Sequence, residues 1–73
     1  TTLMLAAKYG HTDTAKLLID AGADVNAVDE DGNTALMLAA SSGLADIVKR
    51  LIDAGADVNA VTKDGDTALM LAA

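Results

Sequence analysis

Thr34-Ala35-Leu36-Met37-Leu38-Ala39-Ala40 recurs without a change at Thr67 to Ala73. Residues 34–73 lie over residues 1–40 at the same offset, with 29 of 40 pairs identical and 11 different. Leu18 to Val28 returns unchanged as Leu51 to Val61. The step from Thr34 to Thr67 lies in the range of periods that marks a stacked-repeat architecture, because one such unit cannot bury its apolar face alone and must lean on the next. Each unit then touches only its neighbours, and the stack presents an extended surface. Function is expected on that surface and not in a cleft.

The most complete copy starts at Asp29-Glu30-Asp31-Gly32, a turn sequence after the short β-prone stretch Val25 to Val28. Gly32 accepts a positive φ without strain. Thr34 stands one residue before a helix-forming run and suits an N-cap, its hydroxyl taking an orphan backbone N–H. The pattern predicts a first helix over about 35–42, ended by Gly43 in a left-handed conformation. A second helix over about 45–54 carries Leu44, Ile47, Val48, Leu51 and Ile52 at i, i+3, i+4, i+7 and i+8, which reads as one buried face. Asp46 in its first turn suits the helix dipole, and Gly55 ends it as Gly22 ends its counterpart.

Seventy-three residues make at most one small domain, and a chain near this size buries only about 60 to 65 per cent of its unfolded surface. Marginal stability is expected. Apolar residues are 52 per cent of the chain, yet Phe and Trp are absent and Tyr9 is the only aromatic, so the core must come from Ala, Leu, Ile, Val and Met. No apolar run exceeds six residues, where a membrane span needs roughly 18 to 20. A soluble chain without membrane contact follows. The absence of Cys excludes a disulfide framework and fits a reducing compartment. No secretory signal is visible, and a first residue Thr without a Met before it reads as a chain excised or processed from something longer.

With Asp29 and Gly32, Thr34 to Ala40, Gly43, Leu51-Ile52 and Gly55-Ala-Asp-Val-Asn-Ala60 in view, the chain resembles the ankyrin repeat along its whole length. That resemblance implies an all-α repeat solenoid of helix-turn-helix units joined by β-hairpin fingers. It divides the chain into a partial first unit without its finger (1–28), a complete unit (29–61), and the finger and first helix of a third (62–73). It further implies a concave groove of fingers and inner helices that grips a partner protein, no cofactor, and a cytoplasmic setting. The family's Thr-Pro-Leu-His reads Thr-Ala-Leu-Met here at 34–37 and 67–70. Ala35 and Ala68 replace a proline suited to the first helical position. Met4, Met37 and Met70 replace a histidine brace, so deformable apolar contacts and looser fingers are expected. Thr62 stands where Asp29 supplies an acid, leaving open how the second hairpin makes its local hydrogen bonds.

The chain also supplies its own comparison. Lys8 and Tyr9 face Ser41 and Ser42 at the end of the first helix, on the groove side in the ankyrin pattern; Asp29, Glu30 and Asn33 face Thr62, Lys63 and Asp66 at the fingertip. The expected contact set is therefore Lys8, Tyr9, Glu30, Asp31, Asn33, Ser41, Ser42, Lys63, Asp64 and Asp66. Tyr9 is the candidate anchor, since tyrosine is enriched among residues that dominate binding energy; the plain alternative is packing. Exposed positions also drift freely between copies, and Val28 and Val61 fit edge packing as well as contact. In the second helix, His11, Thr14 and Ala15 stand where the other copy has Leu44, Ile47 and Val48, so the first unit has the weaker core.

Other chemistries fail on residue count. One His and no Cys do not make a usual zinc site. With Gly32 as the sixth position of a calcium loop, the first and twelfth fall on Ala27 and Leu38; with Gly65 they fall on Ala60 and Leu71, and none is a side-chain ligand. The glycines stand singly, at Gly10, Gly22, Gly32, Gly43, Gly55 and Gly65, and form no phosphate loop. Nucleophilic catalysis would need Ser41 or Ser42 activated by His11, which reads as a helix-start or loop residue. Five basic residues against eleven acids disfavour nucleic acid and favour a basic or mixed protein surface, although charge also serves solubility.

Two functions remain. One is a non-catalytic protein-recognition module using the groove. The other is a structural or self-associating segment, a natural array fragment or consensus-style design, that stacks head to tail through uncapped ends.

Overall fold

The computed structural model describes residues 1–72. Five helices follow one another: α1 (Thr2–Lys8), α2 (Thr12–Asp20), α3 (Ala35–Ser41), α4 (Ala45–Asp53) and α5 (Ala68–Ala72). Ala73, expected in the last helix, lies outside the described residues.

Each first helix starts on the threonine that the repeat supplies. The Thr34 hydroxyl accepts the Met37 N–H at 3.3 Å, and the Met37 sulfur accepts the Thr34 N–H at 3.4 Å. This is a reciprocal capping arrangement in which sulfur replaces the usual carboxylate or amide. The expectation of a purely apolar methionine is thereby corrected: Met37 is buried, yet its sulfur satisfies a buried backbone donor. The helix ends are equally regular. Leu44 N–H returns to Ala39 C=O at 3.0 Å and Gly43 N–H to Ala40 C=O at 3.1 Å, the Schellman closure that needs a left-handed residue; Gly43 has φ +70°. The same pair of bonds closes α1 at Gly10, α2 at Gly22 and α4 at Gly55.

Helices α1, α3 and α5 pack side by side in one row, and α2 and α4 form a second row against α1 and α3. The molecule measures 30 × 20 × 20 Å. One core holds Leu3, Met4, Leu36, Met37, Ile47 and Leu51 together with Ala6, Ala7, Ala15, Ala35 and Ala39. Alanine at the contacts lets backbones approach closely and so substitutes for the missing aromatic bulk. Adjoining loops are also tied: Asn26 Nδ2 donates to Gly55 C=O at 3.3 Å, and Asp57 N–H donates to Asn26 Oδ1 at 2.7 Å. One side-chain amide thus fixes the spacing of two successive units.

Two expectations change. The apolar face of α4 is split: Ile47 and Leu51 are fully buried against the neighbouring helices, Leu44 and Val48 are half-buried, and Ile52 is 47 % exposed. Periodicity identifies apolar residues but not the neighbour that covers them. The fingers, expected as β-hairpins, form no strand among the described residues. They are tight turns closed by two backbone bonds each: Asp29 N–H to Asn33 C=O at 3.0 Å with Gly32 N–H to Asp29 C=O at 3.1 Å, and Thr62 N–H to Asp66 C=O at 2.9 Å with Gly65 N–H to Thr62 C=O at 2.9 Å. Val25, in the β-prone stretch, is instead a buried loop residue.

Candidate protein-contact surface

Each fingertip is built around one acceptor side chain at its base. The Asp29 carboxylate takes the N–H groups of Asp31 and Asn33, both at 2.9 Å, and the Asn33 side-chain amide at 3.2 Å. The Asn33 backbone donor is the largest cause holding the Asp29 carboxyl below the usual aspartate range. In the second finger the Thr62 hydroxyl does the same work, accepting from Asp64 and Asp66 N–H at 3.2 Å each. Threonine therefore preserves the turn with longer bonds and without the charge. Neighbouring fingers join directly, Lys63 N–H donating to Asp31 C=O at 3.0 Å.

This framework separates the expected contact residues into two groups. Glu30, Asp31, Lys63 and Asp64 are exposed at the tips, while Asn33 and Asp66 are half-buried, and Asn33 spends its amide on Asp29. Lys8, Tyr9, Ser41 and Ser42 are exposed at the opposite, C-terminal ends of α1 and α3. A seven-residue helix separates the groups by about 10 Å. They share the first-helix row but do not form a single cluster.

At the α1 end the Lys8 ammonium sits 5.5 Å from the Tyr9 ring centroid, within reach of a cation–π attraction. Tyr9 is 64 % exposed, and its ring centroid lies 6.5 Å from that of His11 at a 43° tilt. His11 was not among the expected contact residues. Its place just beyond Tyr9, across Gly10, carries no helical or strand periodicity that would reveal the pairing. The α3 end offers only the hydroxyls of Ser41 and Ser42.

Charge divides along the same lines. The tip at 29–33 holds three acids and no base, and the tip at 62–66 holds two acids and Lys63. Behind them, on the outer face of the second row, a groove of about 630 Å³ between α2 and α4 is lined by Lys16, Asp20, Asp46, Lys49, Arg50 and Asp53, with both signs interspersed. The fingertip side is the acidic one, and the back is balanced.

The arrangement of paired helices, glycine-closed helix ends and turn fingers at one fixed interval agrees with a comparison to known families. A family model described as "Ankyrin repeats (3 copies)" matches residues 1–73. With the match spanning the chain and the helical stack in agreement with it, this protein belongs to the ankyrin-repeat family.

Proposed function

We propose that the chain is a protein-recognition module that docks a partner along the free side of α1 and α3 and across the two fingertips, with no catalytic step. Ankyrin repeats are generally protein–protein interaction modules and typically non-catalytic. The observation that carries the reading is the Tyr9 site. A large aromatic side chain, 64 % exposed and flanked by Lys8, stands at a position where the copies differ, while the shared Leu3, Met4 and Ala6 and their counterparts Leu36, Met37 and Ala39 are buried in the core. Tyrosine in such a setting offers contact area at little entropic cost. The acidic tips favour a partner segment with basic side chains, and complementary charge would set approach rate and register more than affinity.

The test is a peptide-display selection with the full chain as bait, followed by measurement of the recovered peptides against Tyr9→Ala and against Glu30→Lys with Asp31→Lys. Each variant is expected to weaken binding about tenfold or more, with helicity unchanged. Undiminished affinity in both variants would move the site elsewhere.

A second reading, a segment that stacks head to tail with other repeats, is favoured by the half-buried Val48 and the 47 % exposed Ile52 on α4.

A further inference from the structure

The aspartates of this chain fall into groups according to the residue that follows each one and the backbone around it. Asp13, Asp20, Asp46 and Asp53 lie in α2 and α4, where intrahelical bonds fix the backbone angles. Asp24, Asp57 and Asp66 precede the β-branched Val25, Val58 and Thr67, and Asp29 precedes Glu30. The carboxylates of Asp24, Asp29 and Asp57 are also committed to backbone N–H groups. Asp31 and Asp64 differ from all of these. Each is exposed at a fingertip, outside any helix, and each is followed by a glycine at φ +83°. The exposure of Asp31 does not depend on an absent neighbour, because the next finger already lies against this one, with Lys63 N–H donating to Asp31 C=O at 3.0 Å.

An aspartate carboxyl carbon and the amide nitrogen of the next residue can join in a five-membered ring. The side chain of that next residue hinders closure, and glycine has none. We propose that the Asp31–Gly32 and Asp64–Gly65 steps are sites of spontaneous backbone isomerisation. The Gly32 nitrogen attacks Asp31 Cγ; a C–N bond forms, the nitrogen gives its proton to solvent, and a carboxyl oxygen leaves as water. Water then opens the cyclic imide. Attack at Cγ restores aspartate, while attack at the former backbone carbonyl carbon leaves isoaspartate, in which the main chain runs through Cβ and Cγ. One water is lost and one is gained, so no oxidant, reductant or further reactant enters.

The ring does not close inside the intact turn. Gly32 N–H is held on Asp29 C=O at 3.1 Å, and Asp31 N–H on the Asp29 carboxylate at 2.9 Å. The step therefore goes through local opening of the tip, a turn with no strand behind it among the described residues. Its product has an effect particular to this position. The carbonyl that accepts Lys63 N–H becomes a free carboxylate on a side branch, and the main chain gains one carbon. Isomerisation at Asp31 thus breaks the joint between neighbouring fingers and relocates the acid at the tip.

The experiment holds the full folded chain at neutral pH and physiological temperature for several weeks. Isoaspartate is measured by methyl transfer from S-adenosylmethionine with isoaspartyl methyltransferase and located by electron-transfer fragmentation of proteolytic peptides. Methyl acceptance is expected to rise steadily at residues 31 and 64 and to stay at background at the other aspartates. Asp31→Glu, whose ring is a slower-closing six-membered one, is expected to abolish the signal at 31 with helicity unchanged. Asp29→Ala removes the carboxylate that braces the tip and is expected to raise the rate at 31 several-fold while leaving 64 unchanged. In the isomerised fraction the Lys63 amide is expected to lose its protection against hydrogen exchange. Methyl acceptance that is absent from 31, or spread evenly over the aspartates, overturns the proposal. A rate at 31 that ignores Asp29→Ala overturns the route through the open tip, and a Lys63 amide still protected after isomerisation overturns the loss of the joint.

Discussion

Gly32 and Gly65 hold the same backbone angle, φ +83°, in successive fingers, but only one of them is crowded. A Cβ at Gly32 would stand 3.3 Å from Lys63 N and from Thr62 Cα of the next finger, whereas nothing lies within 4 Å of a Cβ at Gly65. Alanine at either site costs about 1 to 2 kcal/mol for the left-handed conformation. At Gly32 it must also push two backbones apart at the Lys63 to Asp31 bond. Gly32→Ala is therefore expected to lower the thermal midpoint by at least about 5 °C more than Gly65→Ala. Equal losses would show that the fingers are not in contact. The need for glycine was legible from the turn sequence, but the difference between the two glycines was not, because it arises from contact with the following finger, remote in sequence. The exchange of Asp29 for Thr62 is similar: the sequence showed a lost acid, and only the geometry shows that a hydroxyl serves the same two N–H groups.

Among the helices, the starts and stops of α3 and α4 were legible to within a residue, because the Thr34 cap and the glycine closures at Gly43 and Gly55 are local signals. Coverage is not local. Helix α4 buries Ile47 and Leu51 completely, α2 buries only Ala15, and α5 is five residues held by the buried Ala68 and half-buried Leu71. Helices this short have little stability of their own, so protection should follow packing. Native-state hydrogen exchange is expected to find the slowest amides in α3 and α4, faster ones in α2, and the fastest helical amides in α5. Protection of α2 equal to that of α4 would contradict the reading that Thr14 and Ala15 leave the first pair under-packed. The same dependence on neighbours explains why the apolar stripe of α4 suggested one buried face where the structure has a buried half and a half-covered one.

For the whole molecule, the repeat period determined the architecture, since units that recur at such an interval have one economical way to stack. It located the surface less completely. Positions that differ between copies led to Lys8, Tyr9 and the fingertips, yet the sequence could not reveal that these lie at opposite ends of the first helices, nor that His11 stands beside Tyr9. It also could not separate Asn33, used internally by Asp29, from residues free to touch a partner. The proposed recognition runs along the first-helix row and its acidic tips, and not through the charge-balanced groove between α2 and α4. Amide chemical-shift mapping of the isotope-labelled chain, titrated with a peptide from the display selection, tests it most directly. Shifts concentrated at Lys8, Tyr9, Ser41, Ser42 and the tips around Glu30, Asp31, Lys63 and Asp64 are the expected result; shifts centred on Lys16, Asp20, Lys49 and Asp53 would contradict it.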